Sequence, residues 1–158
     1  MRIVKVDYHN EQQGKDLVYM LGQYALDEHG GGKPLADYTQ QNLVRALQET
    51  PIAVSFIAYN GEEPVGLINC IQGFSTSKAG PLLNIHDLII KDGYRGQGIG
   101  TQLLARAEEE ARARQCCKVT LEVLEQNERA KKVYQKFGFE GYNVGDDSNN
   151  ALFWEKNI

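Results

Sequence analysis

Glycines that follow one arginine form the segment of this 158-residue chain best suited to chemistry. An apolar, β-branched stretch ends at Ile90, and an amphipathic helical pattern begins near residue 99. At this junction lie Arg95, Gly96, Gly98 and Gly100. A strand, a glycine loop and a helix N-terminus present backbone N–H groups and the positive end of a helix dipole to an anion. The spacing therefore predicts a site for the phosphates of a ligand.

Two common phosphate-binding loops fit these glycines less well. A Walker loop ends in Gly-Lys-Ser/Thr, and no lysine follows the glycines here. The dinucleotide fingerprint G-x-G-x-x-G needs a third glycine where the chain has Thr101, although Glu122 lies near the acidic position expected about 20 residues on. A dinucleotide-dependent oxidoreductase stays open as an alternative. So does an ordinary strand-to-helix connection whose glycines only satisfy turn geometry.

A second segment, residues 127–139, combines a helix start, an apolar helical face and a glycine stop. Asn127 is suited to cap a helix N-terminus, and Tyr134 falls on the apolar face. Gly138 is suited to end the helix in a left-handed conformation, with Phe139 as the hydrophobic residue after it. Taken alone, Asn127 and Tyr134 have structural roles as a cap and a packed aromatic residue.

Together, the two segments resemble the GNAT superfamily of N-acetyltransferases. The pattern R-x-x-G-x-G, formed by Arg95, Gly98 and Gly100, resembles its acyl-CoA loop, and residues 127–139 are similar to its N-x-x-A-x-x-x-Y-x-x-x-G-F segment. The resemblance implies an α/β GNAT fold in one domain over residues 1–158. Its sheet is expected to be mixed and mostly antiparallel, with about seven strands flanked by about four helices. It also implies acetyl-CoA as co-substrate and no metal.

The resemblance further implies roles for individual residues. The backbone of Leu88, Ile89 and Ile90 would hold the pantetheine arm and polarise the acetyl carbonyl. The loop residues expected to bind the pyrophosphate of acetyl-CoA are Arg95, Gly96, Gln97, Gly98, Ile99, Gly100 and Thr101. Asn127 would contact the same co-substrate, and Tyr134 falls where the family places the acid that protonates coenzyme A.

Acetyl transfer to an amine also needs a base, because an alkylammonium with a pKa of about 10.4 is not a nucleophile. His86 and Asp87 stand where some amine-directed relatives carry Glu and then Asp, so the histidine is a departure. Either residue, directly or through water, is a candidate base. Neighbouring strand residues point to opposite faces, so only one of the two is expected to face the acetyl group. Cys70 is expected to be packed, since direct attack in a ternary complex needs no enzyme nucleophile.

Periodicity predicts elements in the order β-α-α-β-β-β-α-β-α-β-β, which is also the GNAT order. The predicted strands are residues 1–6, 52–59, 65–71, 83–90, 118–124, 139–144 and 151–155. The predicted helices cover residues 17–24, 39–49 with Thr39 as N-cap, 99–114, and a segment after Asn127. The glycine-rich connection at residues 28–38 and the loop at 74–80 are expected to contact the amine, through His29, Tyr38 and Phe74.

Composition narrows the classes of partner. The chain is 42% apolar and 24% charged, typical of a globular protein, and no apolar run approaches the roughly 20 residues that span a bilayer. Three cysteines, two of them adjacent, do not form a disulfide framework, which favours a reduced, cytoplasmic setting. A net charge of −4 argues against nucleic acid. We therefore expect no nucleic-acid and no membrane partner.

The expected acceptor is an amine on a small molecule (polyamine, amino acid or amino-bearing antibiotic) or a peptide terminus. Because homodimers are common among similar proteins, a homodimer is also expected. The alternative function is a non-catalytic, acyl-CoA-binding regulatory module. The presence of both Asn127 and Tyr134 favours catalysis.

Overall fold

A computed structural model describes residues 1–27, 31–125 and 127–141 of the chain. The elements in these residues are β1 (Arg2–Lys5), α1 (Glu11–Leu26), α2 (Asp37–Gln48), β2 (Ala53–Asn60), β3 (Glu63–Ser75), β4 (Gly80–Ile90), α3 (Ile99–Ala113), β5 (Val119–Leu121) and α4 (Glu128–Phe137). Their order confirms the prediction for these nine elements, including the four helices. The residues up to Leu124 form one compact unit, and a second begins at Glu125.

The strands of the described residues form a five-stranded sheet in the order β1-β2-β3-β4-β5. The first four pair antiparallel and β5 joins β4 in parallel, which confirms a mixed, mostly antiparallel sheet. About seven strands were expected. Of the two remaining predicted strands, residues 139–141 are not strand, and residues 142–144 and 151–155 lie outside the described part of the chain.

Several predicted boundaries shift. The β3–β4 hairpin pairs as far as Ser75 and Gly80, because its backbone groups bond to each other, and this shortens the predicted loop at 74–80 to residues 76–79. The strand predicted at 118–124 is confined to β5. The prediction that Thr39 caps α2 is wrong: the helix begins at Asp37, whose carboxylate suits the positive end of the helix dipole.

Helices cover both faces of the sheet. On one face, Leu17 and Met20 of α1 are fully buried against a cluster that includes Ile57, Leu67 and Ile89; we call this the α1 face. Gly66 lies beside Leu67 in β3 and so faces the other way, where α3 packs against it. We call that the α3 face. Among the described residues no helix has the length and apolar content needed to cross a membrane.

Candidate functional site

Three glycines between β4 and α3 adopt left-handed backbone conformations. Gly93, Gly96 and Gly98 have φ values of +84°, +82° and +79°. No atom lies within 4 Å of where a Cβ would stand at any of them. Glycine is therefore favoured here by the backbone conformation, and not by a lack of space for a side chain. The open space lets a ligand approach the main chain closely. Gly93 was not among the predicted site residues, although an Asp-Gly pair is a turn signal.

The N-terminus of α3 adds backbone donors to this loop. Gly98 is the N-cap and provides no side-chain hydrogen bond to the helix. The helical ladder starts with Gln102 N donating to Gly98 O at 3.1 Å, so the amides of residues 98–101 come before it. Together with the helix dipole they form an anion site. The residues present therefore fit the pyrophosphate of coenzyme A.

Arg95 stabilises the loop through contacts within the protein. Its Nη2 lies 2.7 Å from Asp27 Oδ2, its Nη1 lies 3.1 Å from Asp92 Oδ1, and its Nε donates to Ile90 O at 3.2 Å. Gln97 also donates to the loop backbone, from Nε2 to Gly93 O at 3.0 Å. The guanidinium of Arg95 therefore shapes the loop, and its contact with the pyrophosphate stays a prediction.

The other end of the loop is attached to the β2–β3 hairpin by residues that the sequence analysis missed. Lys91 Nζ lies 2.6 Å from Glu63 Oε1, and Tyr94 donates its hydroxyl hydrogen to Glu63 Oε2 at 2.8 Å. Asn60 Nδ2 donates to the Tyr94 oxygen at 3.3 Å. Hydrogen bonding to Glu63 raises the pKa of Lys91, so this ammonium stays charged. Such contacts join strands distant in sequence, and no local pattern signals them.

One edge of β4 is open beside the loop. The parallel pairing with β5 stops at Ile85 and Leu121, whereas β4 continues to Ile90 and pairs there with β3. Within the described residues, no strand borders residues 86–90 on the β5 side. The backbone groups on that side can therefore bind an extended ligand as a strand would.

The direction of the amides on this edge follows from strand alternation. Lys91 N donates to Val65 O of β3 at 3.0 Å. Alternate residues direct their polar groups to opposite edges, so the Ile89 amide faces β3 and the Leu88 and Ile90 amides face the open side. The bond from Arg95 to Ile90 O agrees with this direction. Leu88 and Ile90 thus offer the donors suited to a pantetheine arm and an acyl carbonyl.

The two candidate bases have different surroundings. Strand pairing passes from Cys70–Ile85 to Asn69–Asp87, so His86 is the extra residue of a β-bulge. His86 is exposed, and its imidazole makes no hydrogen bond within the described part of the chain. Asp87 is half-buried and accepts a hydrogen bond from Asn69 Nδ2 at 2.9 Å. Asp87 lies on the α1 face, because alternate residues of a strand share a face and Ile89, two residues on, belongs to the cluster on the α1 face.

Cys70 lies on the opposite, α3 face and is 1% exposed. Burial raises the pKa of its thiol to about 12, so it is a neutral, packed side chain at physiological pH.

In the second unit, α4 has the cap and the stop that the sequence predicted. Asn127 Oδ1 accepts a hydrogen bond from Ala130 N at 3.1 Å. Gly138 ends the helix with φ +108°, and Phe139 N donates to Tyr134 O at 3.0 Å. The Tyr134 ring meets the Phe139 ring edge-on, with centroids 5.9 Å apart. The roles of Asn127 and Tyr134 toward acetyl-CoA stay predictions.

The predicted acceptor contacts are only partly described. Tyr38, in the first turn of α2, is 77% exposed, and Phe74, near the end of β3, is 63% exposed. His29 lies outside the described residues. Among the residues that the structure does describe, no group of three or more His, Cys, Asp or Glu side chains could hold a metal ion.

Comparison with known families settles the class of protein. The sequence profile of the Acetyltransferase (GNAT) family matches residues 19–139. The chain belongs to the GNAT family of acetyltransferases. The match includes both the glycine loop and α4, and so confirms the resemblance carried by those two segments.

Individual relatives of this GNAT protein are also named as acetyltransferases. Acetyltransferase Atu2258 of Agrobacterium fabrum is 28% identical over 113 residues, covering 66% of this chain and 81% of the relative. Thialysine N-epsilon-acetyltransferase of Bos taurus is 37% identical over 83 residues, covering 48% of this chain and only 47% of the bovine protein. The structure of AAC(6')-Iy in complex with the bisubstrate analogue CoA-S-monomethyl-acetylneamine has a TM-score of 0.78 at 16% identity, over 99% of this chain and 98% of that one. This last likeness shows a shared fold.

Proposed function

We propose that this GNAT protein is an acetyl-CoA-dependent N-acetyltransferase, which transfers the acetyl group to a primary amine by direct attack in a ternary complex. One observation carries the proposal: the open edge of β4 runs directly into the left-handed glycines and the first turn of α3. This continuous row of backbone donors suits an extended arm followed by a pyrophosphate. The analogue bound to AAC(6')-Iy, which contains coenzyme A, supports the same donor.

Each chemical task then has a candidate group in this chain. The Leu88 and Ile90 amides donate to the thioester oxygen, where negative charge develops. Asp87 accepts the proton of the amine, with His86 as the other candidate base. Tyr134 protonates the departing thiolate, whose conjugate acid has a pKa of about 8.5, and Asn127 contacts acetyl-CoA. Because the family match extends across both compact units, we infer that they belong to one domain.

We propose as acceptor a primary amine on a small molecule or a peptide, contacted by His29, Tyr38 and Phe74. The name of the bovine relative, a thialysine N-epsilon-acetyltransferase, supports a small amine. The cytoplasmic location and the homodimer are likewise proposals, and light scattering on purified protein tests the second.

The decisive experiment is a thiol-release assay with excess acetyl-CoA and a panel of amines: spermidine, lysine, kanamycin and a tripeptide with a free N-terminus. We expect at least one amine to raise coenzyme A release well above the rate without amine, and mass spectrometry to find the acetylated amine. No release with any amine, together with protection against heating by acetyl-CoA, would favour the regulatory module. Stabilisation by NAD(P) and not by coenzyme A would favour the oxidoreductase.

A further inference from the structure

A chain of hydrogen bonds crosses the α1 face of the sheet and ends on Asp87. Ser55 of β2, Asn69 of β3 and Asp87 of β4 are direct neighbours in strand register. Ser55 Oγ lies 2.6 Å from Asn69 Oδ1, and Asn69 Nδ2 lies 2.9 Å from Asp87 Oδ2. Tyr8, which follows β1, extends the chain with its hydroxyl 2.9 Å from Ser55 Oγ. Ser55 is buried, and the other three residues are half-buried.

The chemistry of these groups fixes the direction of every bond in the chain. An ionised carboxylate only accepts, so Asn69 turns its NH₂ group to Asp87 and its carbonyl oxygen to Ser55. Ser55 then donates its single hydrogen to Asn69, which leaves Tyr8 as the donor to Ser55. All the donors therefore point towards Asp87. Such a chain fixes the orientation of the carboxylate that it ends on.

We propose that Asn69 and Ser55, supported by Tyr8, are positioning residues for Asp87 as the base that takes the proton of the acceptor amine, an inference that rests on the proposed acetyl transfer. An N–H bond of the acceptor breaks while an O–H bond forms on Asp87, and the nitrogen lone pair forms a C–N bond with the acyl carbon. The C–S bond of the thioester then breaks, and the thiolate of coenzyme A leaves and is protonated. Within the described residues the hydrogen bond to Asp87 uses Oδ2, which leaves Oδ1 to meet the amine or a water. The chain is not a proton wire, since the Asn69 amide releases no proton near neutral pH.

The groups around Asp87 decide what a pH profile can report. The titratable groups that the structure describes near Asp87 include Tyr24 on α1, Cys70 on β3 and His86 on β4. Burial, with Asp87 and Asp27 nearby, raises the pKa of Tyr24, and burial raises the pKa of Cys70 to about 12. Tyr8 lies at the far end of the hydrogen-bonded chain, and burial raises its pKa as well. All three stay neutral at acidic and neutral pH. The acid limb of the pH–rate profile therefore reports on Asp87 or on His86, and variants of each distinguish them.

The test measures two quantities for Asn69→Ala, Ser55→Ala and Ser55→Thr: kcat/KM as a function of pH, and the melting temperature. The substrates are acetyl-CoA and the panel amine with the highest turnover. Asn69→Ala is expected to lower kcat by roughly 10- to 100-fold, the cost of a misplaced catalytic group. It should also shift the acid limb of the pH–rate profile upward, because the Asp87 carboxylate loses a hydrogen-bond donor. The KM for acetyl-CoA should stay within about twofold, since the proposed co-substrate contacts are backbone groups of β4 and of the glycine loop and not the Asn69 side chain.

Three matched variants separate positioning from stability. Ser55→Ala should shift the limb in the same direction by less, whereas Ser55→Thr keeps the hydroxyl and should keep the limb while its extra methyl lowers the melting temperature. Cys70→Ala removes a buried neighbour on the α3 face and should lower the melting temperature alone.

Three outcomes would overturn the proposal. An Asn69→Ala enzyme with the wild-type acid limb and kcat shows that the chain is only structural. A limb that moves in His86→Ala and not in Asn69→Ala assigns the base to His86. A wild-type protein that releases no coenzyme A with any amine removes the proposed function as well, and intact wild-type turnover distinguishes the first two outcomes from this one.

Discussion

The close approach of α3 to the sheet depends on Gly66, and replacing it should weaken both the fold and the site. An added Cβ at Gly66 would stand 3.0 Å from Ile99 Cγ2, 3.0 Å from Leu103 Cδ1 and 3.3 Å from the Cβ of Ala58. The tip of Leu103 can turn away. The Ile99 methyl has less freedom, because χ1 of a β-branched side chain in a helix has one strongly preferred rotamer and Ile99 is buried. Ile99 is also the first residue of α3. Gly66→Ala should therefore push the N-terminus of α3, with its phosphate-binding amides, away from β3.

The size of the effect follows from two opposing contributions. Overpacking a tight core site costs about 1–3 kcal/mol, and replacing glycine by alanine within a strand returns about 0.5–1 kcal/mol. The midpoints of these ranges leave a net loss of about 1.3 kcal/mol, which corresponds to a melting temperature lower by about 3–5 °C in a chain of this length. A displacement of a few tenths of an ångström should also weaken coenzyme A binding by about 3- to 10-fold, or ~0.6–1.4 kcal/mol.

Thermal unfolding and calorimetric titration with coenzyme A measure the two effects. Gly73→Ala is the matched control, because its added Cβ meets only the flexible side chain of Leu82, at 3.3 Å. It should leave the affinity unchanged and should not lower the melting temperature, since the strand gains from losing a glycine. A Gly66→Ala protein that melts and binds like the wild type would refute the packing argument. If the melting temperature falls and the affinity does not, the coupling between β3 and the phosphate site is refuted instead.

Four further changes test other parts of the structure. Gly98→Ala should weaken coenzyme A binding in calorimetry by about 10-fold, because a Cβ in a left-handed conformation costs roughly 1–2 kcal/mol and enters the ligand's space; Gly61→Ala, at φ +61° in the β2–β3 turn, should lose stability and keep affinity. Tyr134→Phe should lower kcat with little change in the affinity for acetyl-CoA, and steady-state kinetics with an unaltered kcat would exclude this tyrosine as the acid. Burial opposes ionisation of Glu110, but hydrogen bonds from two basic side chains outweigh it and lower its pKa, so its stabilising contribution is present above about pH 4.5 and is lost as the pH falls through the lowered value. Glu110→Gln should accordingly reduce the melting temperature at neutral pH, and the difference from wild type should shrink in acid. Cys70→Ala should keep turnover, and mass spectrometry should find Cys70 unalkylated in native protein at about pH 8, since its thiol pKa is raised to about 12; rapid labelling would contradict its burial.

The sequence predicted the order of elements because each one has a strong local signal. Helix α3 shows an apolar stripe after a glycine loop, and α4 has both its cap and its glycine stop. The boundaries of β3 and β4 were less predictable, since the end of β3 at residues 72–75 (Q-G-F-S) and the start of β4 at residues 80–82 (G-P-L) contain the glycine, serine and proline that are typical of loops. Strand pairing across the hairpin decides their length, and pairing is not a local property.

In the candidate site, too, the features with a local sequence signal could be predicted and those that depend on strand pairing could not. The left-handed glycines could be predicted because only glycine adopts that conformation at little cost. The chain from Ser55 through Asn69 to Asp87 could not be predicted, because it needs the register of three strands. A bulge at His86 has no glycine or proline to mark it, so the expected alternation between His86 and Asp87 assumed a regular strand.

That one extra residue decides which way Asp87 faces. Ile85 pairs with Cys70 on the α3 face, so in a regular strand Asp87, two residues on, would share that face and be out of reach of Asn69. His86 takes up the extra position, and Asp87 turns to the α1 face, where Asn69 and Ser55 meet it. A bulge also bends its strand and increases its twist, and pairing with β5 ends at Ile85, directly before it. The same irregularity thus accounts for the open edge and for the placement of the carboxylate. It follows that substituting His86 tests its imidazole, whereas only deleting the residue tests the bulge.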